Sequence, residues 1–179
     1  MSSSTSESDS GHGLDGYAGS CAFLLLRLWL ALRAIATGLD KFAGKVTEQK
    51  PLLDEFGQPD INGTMVNVEH KVYAVKYYQG VPAALQAKFA AEPLLPALLL
   101  KPYTAALGYA LIISGLMLLL GLATRTSLFI QGLIYVSLTF GLILINESGG
   151  VAWLGVHMIL VVAALVLAKY NRFTLLHRW

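Results

Sequence analysis

Four long apolar stretches constrain the fold of this chain more than any other feature of its sequence. They cover about 19–39, 103–122, 127–145 and 151–168. Crossing roughly 30 Å of hydrocarbon takes about 20 helical residues, so each stretch is long enough to span a membrane. Because backbone polar groups in lipid must be satisfied within each segment, all four are predicted to be α-helices.

The composition also indicates a membrane protein. Hydrophobic residues make up 55% of the chain and charged residues 13%, whereas a soluble domain carries about 25% charged residues. The net charge of +2 comes without a basic cluster, which argues against a nucleic-acid partner. The only cysteine, Cys21, cannot form a disulfide within the chain.

The connections between the last three stretches are short, at 123–126 and 146–150. Short connections favour antiparallel neighbours, so the predicted fold is an all-α integral membrane protein with a four-helix up-down bundle. Residues 1–18 are rich in serine and glycine and contain no lysine or arginine, which predicts a disordered tail. Residues 19–179 are then the membrane domain.

A polar insert at about 44–100 separates the first two predicted spans and is expected to lie outside the membrane. Met65–Tyr73 alternates apolar and polar residues, as a short strand does. Pro82 is suited to open a short helix over Ala83–Ala91, because proline is tolerated where helices begin.

The positive charges near the membrane set the expected orientation. Arg125 lies in the second connection and Arg172 follows the last span, whereas the third connection carries Glu147 and no basic residue. The positive-inside rule therefore places both termini in the cytoplasm and the insert outside.

The first span carries charges that need an explanation. Arg27 lies near the expected cytoplasmic end, where a long side chain can reach the interface. Arg33 lies deeper, where an arginine costs about 2.5–3.5 kcal/mol unless a partner satisfies it. Asp40 follows Arg33 by seven residues, so both lie near one helix face.

One interpretation gathers four polar residues into a pocket for a quinone headgroup or another small polar ligand: Arg33, Asp40, Glu147 and His157. The alternatives are charges that only lock the helices together, or a docking surface for another subunit. Four further charges are expected at the membrane interfaces: Arg27, Lys41, Arg125 and Arg172. His157 is the only histidine in a predicted span, so neither haem nor a metal site is expected within this chain alone.

Three motifs resemble the DoxX-like family of small four-helix membrane proteins of bacteria and archaea. The family's first helix has an early arginine and a Gly-Leu-x-Lys ending, and its second helix ends in a leucine-rich Gly…Thr-Arg run. An element with Asn or Gly, then Arg-x, then Ser or Thr, then Leu often follows the last span. The matching residues are Arg27 with Gly38–Lys41, Gly115–Arg125 and Asn171–Leu175. Two features depart from the family: Leu111–Ile113 contains no acid where members often carry glutamate, and the insert is longer.

The resemblance implies a place in redox assemblies, because the family includes subunits of a thiosulfate:quinone oxidoreductase. It suggests a bacterial or archaeal cytoplasmic membrane, with other membrane or periplasmic subunits as partners. The first expectation is a non-catalytic accessory component of a respiratory complex. The second possibility is a quinone-reactive oxidoreductase subunit, and the third is a small-solute transporter. The long insert suggests contact with something outside the membrane.

Overall fold

The computed structural model describes residues 7–52, 58 and 63–172, with side chains described from Gly16 onward. Short 3-10 turns lie at Val75–Tyr77, after the second strand, and at Ala168–Tyr170, after the last long helix. The helices and strands in chain order are α1 Glu7–Asp40, β1 Ala43–Pro51, β2 Met65–Tyr73, α2 Ala83–Ala91, α3 Ala97–Leu120, α4 Thr124–Leu144 and α5 Ser148–Leu167.

Within the described part of the chain, four helices are long and apolar enough to cross a membrane, which confirms the four predicted helices. The spans are Gly16–Asp40, Ala97–Leu120, Thr124–Leu144 and Ser148–Tyr170. α3 ends at Gly121, whose left-handed φ of 72° is easily adopted by a residue without a Cβ. The chain therefore turns sharply between α3 and α4.

Helix α1 begins at Glu7, so residues 7–18 are helical although a disordered tail was expected there. Residues 1–6 of that tail lie outside the described part of the chain. Residues from the far end of the sequence lie beside α1 where this segment ends: a Cβ at Gly16 would lie 3.5 Å from Nη2 of Arg172, and a Cβ at Gly19 would lie 2.8 Å from the Tyr170 ring. Local composition does not reveal such long-range contacts.

The insert contains a β-hairpin, so the all-α expectation is wrong for this region. Strands β1 and β2 pair antiparallel, with Ala43 opposite Tyr73 and Pro51 opposite Met65. The predicted strand Met65–Tyr73 and helix Ala83–Ala91 are confirmed at both ends. Strand β1 was not predicted, because almost all of its residues are exposed and its sequence has no apolar alternation.

Helix α1 packs on α3 and α5, and α4 packs on α3 and α5. The contact between α1 and α3 depends on glycine. A Cβ at Gly115 would lie 2.8 Å from Cγ1 of Ile35 and 3.0 Å from the carbonyl oxygen of Ala31. Small residues let two membrane helices approach closely, where van der Waals packing holds them together.

Gly115→Ala is expected to destabilise the bundle by about 1–3 kcal/mol, because the added methyl group meets the backbone of α1. Gly155→Ala is the matched control, since a Cβ at Gly155 meets nothing within 4 Å. The measurement is the melting temperature in detergent, followed by size-exclusion chromatography after heating. Equal melting temperatures of the two variants would contradict the proposed close contact.

Candidate functional site

A cavity of about 230 Å³ lies between α1, α3, α4 and α5, with the insert beside it. Most of its wall is aliphatic or aromatic, and residues from 81 to 89 of the insert complete it. Polar or amphipathic side chains reach it from three helices: Arg33, Thr37, Lys41, Tyr135, Trp153 and His157. A mostly apolar cavity with a few converging polar groups is the usual form of a small-molecule site.

Helix α1 supplies a polar stripe to this cavity. Arg33 and Thr37 of α1, and Lys41 in the turn directly after it, follow one another at intervals of four residues, which places them along one side. Arg33 is exposed and makes no hydrogen bond or ion pair with any residue the structure describes. Its charge does reach the Tyr135 phenol electrostatically. An intramembrane guanidinium without a partner is available to a ligand.

Helix α5 supplies His157, which is only 7% exposed. Its Nδ1 lies 2.8 Å from the carbonyl oxygen of Trp153. Because a carbonyl only accepts, Nδ1 carries the hydrogen and donates it, and in the neutral ring Nε2 is then an acceptor. That buried Nε2 has no partner among the described residues.

Helix α4 supplies Tyr135, whose ring packs edge-on against His157 with centroids 5.7 Å apart. The fully buried Gln131 donates from Nε2 to the Tyr135 hydroxyl at 2.9 Å and to the Leu30 carbonyl at 3.1 Å. The Tyr135 oxygen therefore accepts a hydrogen bond, and its own proton remains to be donated. This arrangement gives the cavity a neutral donor close to the His157 acceptor.

The Lys41 amine is already committed to the protein, since it donates to the Gly80 carbonyl. Burial lowers the pKa of Lys41 below the usual lysine value, and the neighbouring Asp40 carboxylate offsets part of that effect. The bond ties the insert to the end of α1. Arg33 is thus the cation at the cavity that holds no internal partner within the described part of the chain.

The insert segment beside the cavity, residues 78–82, is also fixed to α3. The Tyr78 hydroxyl donates to the Thr104 carbonyl at 2.6 Å and accepts from the Gly108 amide at 3.1 Å. Val81 and Pro82 of this segment line the cavity. We call residues 78–82 the roof segment.

The structure brings two of the four predicted pocket residues to one cavity, Arg33 and His157. The other two are held by lysines of the insert instead. Asp40 pairs with Lys71 at 2.6 Å, and Glu147 pairs with Lys88 at 2.9 Å. Both pairs are exposed and neither carboxylate lines the cavity.

The charges expected at the interfaces differ in burial. Arg27 is only 6% exposed, and its Nη1 donates to Oδ1 of Asn171 at 3.2 Å. Asn171 in turn donates to the Thr124 hydroxyl at 3.1 Å. Arg125 and Arg172 are exposed, as interface residues would be. Arg27 is thus the buried arginine of α1 and Arg33 the exposed one, although the sequence suggested that Arg33 had the greater need of a protein partner.

Sequence reasoning missed Thr37, Tyr135 and Trp153 as lining residues. Two spacings in the sequence could have indicated these residues. Trp153 precedes His157 by four residues, and Gln131 precedes Tyr135 by the same interval, so each pair shares a helix face. Polar side chains repeating on one face of an apolar helix indicate either a packed polar contact or a site.

No group of three or more histidine, cysteine, aspartate or glutamate residues in the described ranges could hold a metal ion. No family model, curated protein or solved structure matches this chain.

Proposed function

We propose that this chain is a DoxX-like integral membrane subunit that binds the headgroup of a quinone or quinol. The main support is that Arg33 and His157 line one apolar cavity. Neither Arg33 nor the Nε2 atom of His157 has a hydrogen-bond partner in the described ranges. A second subunit supplies or accepts the electrons in this proposal.

The hydrogen-bonding groups fit a ring that carries oxygens. Arg33 and Tyr135 can donate to quinone carbonyl oxygens, and the Nε2 lone pair of His157 can accept from a quinol hydroxyl. Both redox forms therefore find complementary groups in the same cavity. The aromatic side chains of Tyr135 and Trp153 offer faces and edges for stacking.

The cavity volume suits a single substituted ring. An apolar cavity of about 150 Å³ is already enough to hold benzene, and this one measures about 230 Å³. A fully charged ligand such as a phosphate ester fits less well. It needs several charge-assisted donors, and Lys41 is engaged by the Gly80 carbonyl.

The proposal includes the up-down arrangement of the four helices in a bacterial or archaeal cytoplasmic membrane, with both termini cytoplasmic and the insert outside. Two sets of contacts support the up-down arrangement. The Lys88–Glu147 pair joins the insert to the connection between α4 and α5. The hydrogen bonds from Arg27 to Asn171 to Thr124 join α1, the start of α4 and the chain after α5.

The hairpin favours a second, compatible role as an accessory component that contacts another protein. Strand β1 is exposed over almost its whole length. The large apolar side chains of Val46, Met65 and Tyr73 in the hairpin are also exposed. A two-stranded hairpin alone is marginally stable in water. A partner subunit covering it would stabilise it.

Fluorescence quenching at Trp153 tests quinone binding. A variant with Trp29→Phe and Trp179→Phe leaves Trp153, at the cavity, as the single emitter among the chain's three tryptophans. A tail-bearing benzoquinone added to this variant in zwitterionic nanodiscs is expected to quench the emission with a saturable curve, because the ring occupies a defined site beside the indole.

The matched control keeps Trp29 and replaces Trp153 and Trp179 by phenylalanine. Trp29 lies on α1, is 58% exposed and does not line the cavity. It is expected to show only the linear quenching caused by quinone dissolved in the lipid. Linear curves of equal slope for both variants would refute the binding proposal.

A further inference from the structure

A second cavity, of about 410 Å³, adjoins the first. Three residues line both cavities: Val81, Phe89 and Leu138. The remaining wall of the second cavity comes mainly from the aliphatic segment 94–100 before and within α3, and from α4. The two cavities are therefore neighbours that meet at these three apolar residues.

The two cavities differ in their polar groups. Arg33, Lys41 and His157 line the first, and no charged residue or histidine lines the second. The second contains the hydroxyls of Tyr103 and Ser137, which are 2.8 Å apart and hydrogen-bonded to each other. The second cavity thus offers a ligand a mainly apolar surface. A polar headgroup placed there would find no charged side chain to bind.

We propose that the second cavity holds the first part of the isoprenoid or alkyl tail of the ligand whose headgroup lies in the first cavity. This inference rests on the proposed quinone site and adds a determinant of specificity to it. One amphipathic molecule then matches the polarity of both spaces: an oxygen-bearing ring near Arg33 and His157, and a hydrocarbon tail beyond Phe89.

Phe89 is the residue over which the tail passes. It is 7% exposed, lies in α2 of the insert and lines both cavities. A Cβ at Gly141 would lie 3.3 Å from Cε1 of the Phe89 ring. That distance is shorter than ordinary van der Waals contact, so Phe89 packs closely against Gly141, and a larger side chain at 141 would press on Phe89 and fill part of the second cavity.

Gly141→Leu tests the tail site. The Trp153 quenching assay is run with two probes, a benzoquinone with an alkyl tail and the same ring without one. We expect Gly141→Leu to weaken binding of the tailed probe about tenfold more than binding of the tail-free probe, because the tail loses its cavity whereas the ring is affected only through Phe89. Comparing variants with one probe at a time removes the difference in lipid partitioning between the probes.

Gly155→Leu is the matched control, since position 155 also lies in a membrane helix and a Cβ there meets nothing within 4 Å. It should bind both probes as the parent does. If the parent binds both probes and Gly141→Leu weakens neither, or weakens both equally, the tail inference is overturned while the headgroup site stands. If the parent binds neither probe, the proposed function itself fails.

Discussion

Arg33→Gln is expected to weaken quinone binding by about 10- to 100-fold while leaving the melting temperature nearly unchanged. A hydrogen bond from a charged group contributes about 1.5–3 kcal/mol, which corresponds to that loss of affinity. Stability should hold because Arg33 is exposed and makes no hydrogen bond or ion pair with the described residues. Saturable quenching of Trp153 and thermal melting measure the two effects.

Arg125→Gln is the matched control, since it removes one exposed positive charge from another membrane helix and Arg125 does not line the cavity. It should leave quenching as in the parent. Arg33→Lys separates charge from shape: lysine keeps the cation but loses the planar fork, so partial recovery is expected. Unchanged affinity in Arg33→Gln would remove Arg33 from the site.

The same reasoning distinguishes the two arginines of α1. Arg27 is buried and donates to Asn171, so its loss should lower the stability of the chain rather than ligand binding. The sequence shows how deep each arginine lies in the span, but not which one faces a neighbour. Asn171 is 144 positions away from Arg27, and a local pattern does not reveal such a contact.

The sequence predicted the four spans because their signal is long and strong. It also placed Met65–Tyr73 and Ala83–Ala91 correctly, since alternation and a leading proline are local signals. Strand β1 was not predicted, because its structure depends on pairing with β2. Almost all of its residues are exposed, so its sequence lacks the alternation of apolar and polar residues that marks a half-buried strand. The periodicity of apolar residues describes one segment at a time and does not show which distant segments pair.

The candidate site shows the same limit. Arg33 and His157 were selected as polar residues inside apolar helices, a property of the sequence. Asp40 and Glu147 were selected with them, yet Lys71 and Lys88 of the insert neutralise them. Whether a carboxylate at a helix end faces a cavity or a neighbouring loop depends on where that loop folds. The insert, which forms one wall of the cavity, could not be positioned from composition.

Gly80→Ala is expected to displace the roof segment and so to lower both ligand affinity and stability. A Cβ at this position would overlap the carbonyl oxygen of Thr104 and lie 2.7 Å from its carbonyl carbon. Both atoms belong to the backbone of α3, so no side-chain rotation relieves the overlap. Displacement would break the hydrogen bond from Lys41 to Gly80 and move Val81 and Pro82 away from the cavity.

The cost of forcing such an overlap is about 3 kcal/mol, which corresponds to a fall of roughly 6–12 °C in melting temperature for a chain of this size. Quinone affinity should fall at least tenfold in the Trp153 assay, since the cavity loses one wall. Gly149→Ala, where a Cβ meets nothing within 4 Å, should change neither. Lower stability of Gly80→Ala with unchanged affinity would show that the ligand does not touch the roof segment. If the insert and α1 together enclose the ring, both Gly80→Ala and Arg33→Gln lose affinity, and only Gly80→Ala loses stability.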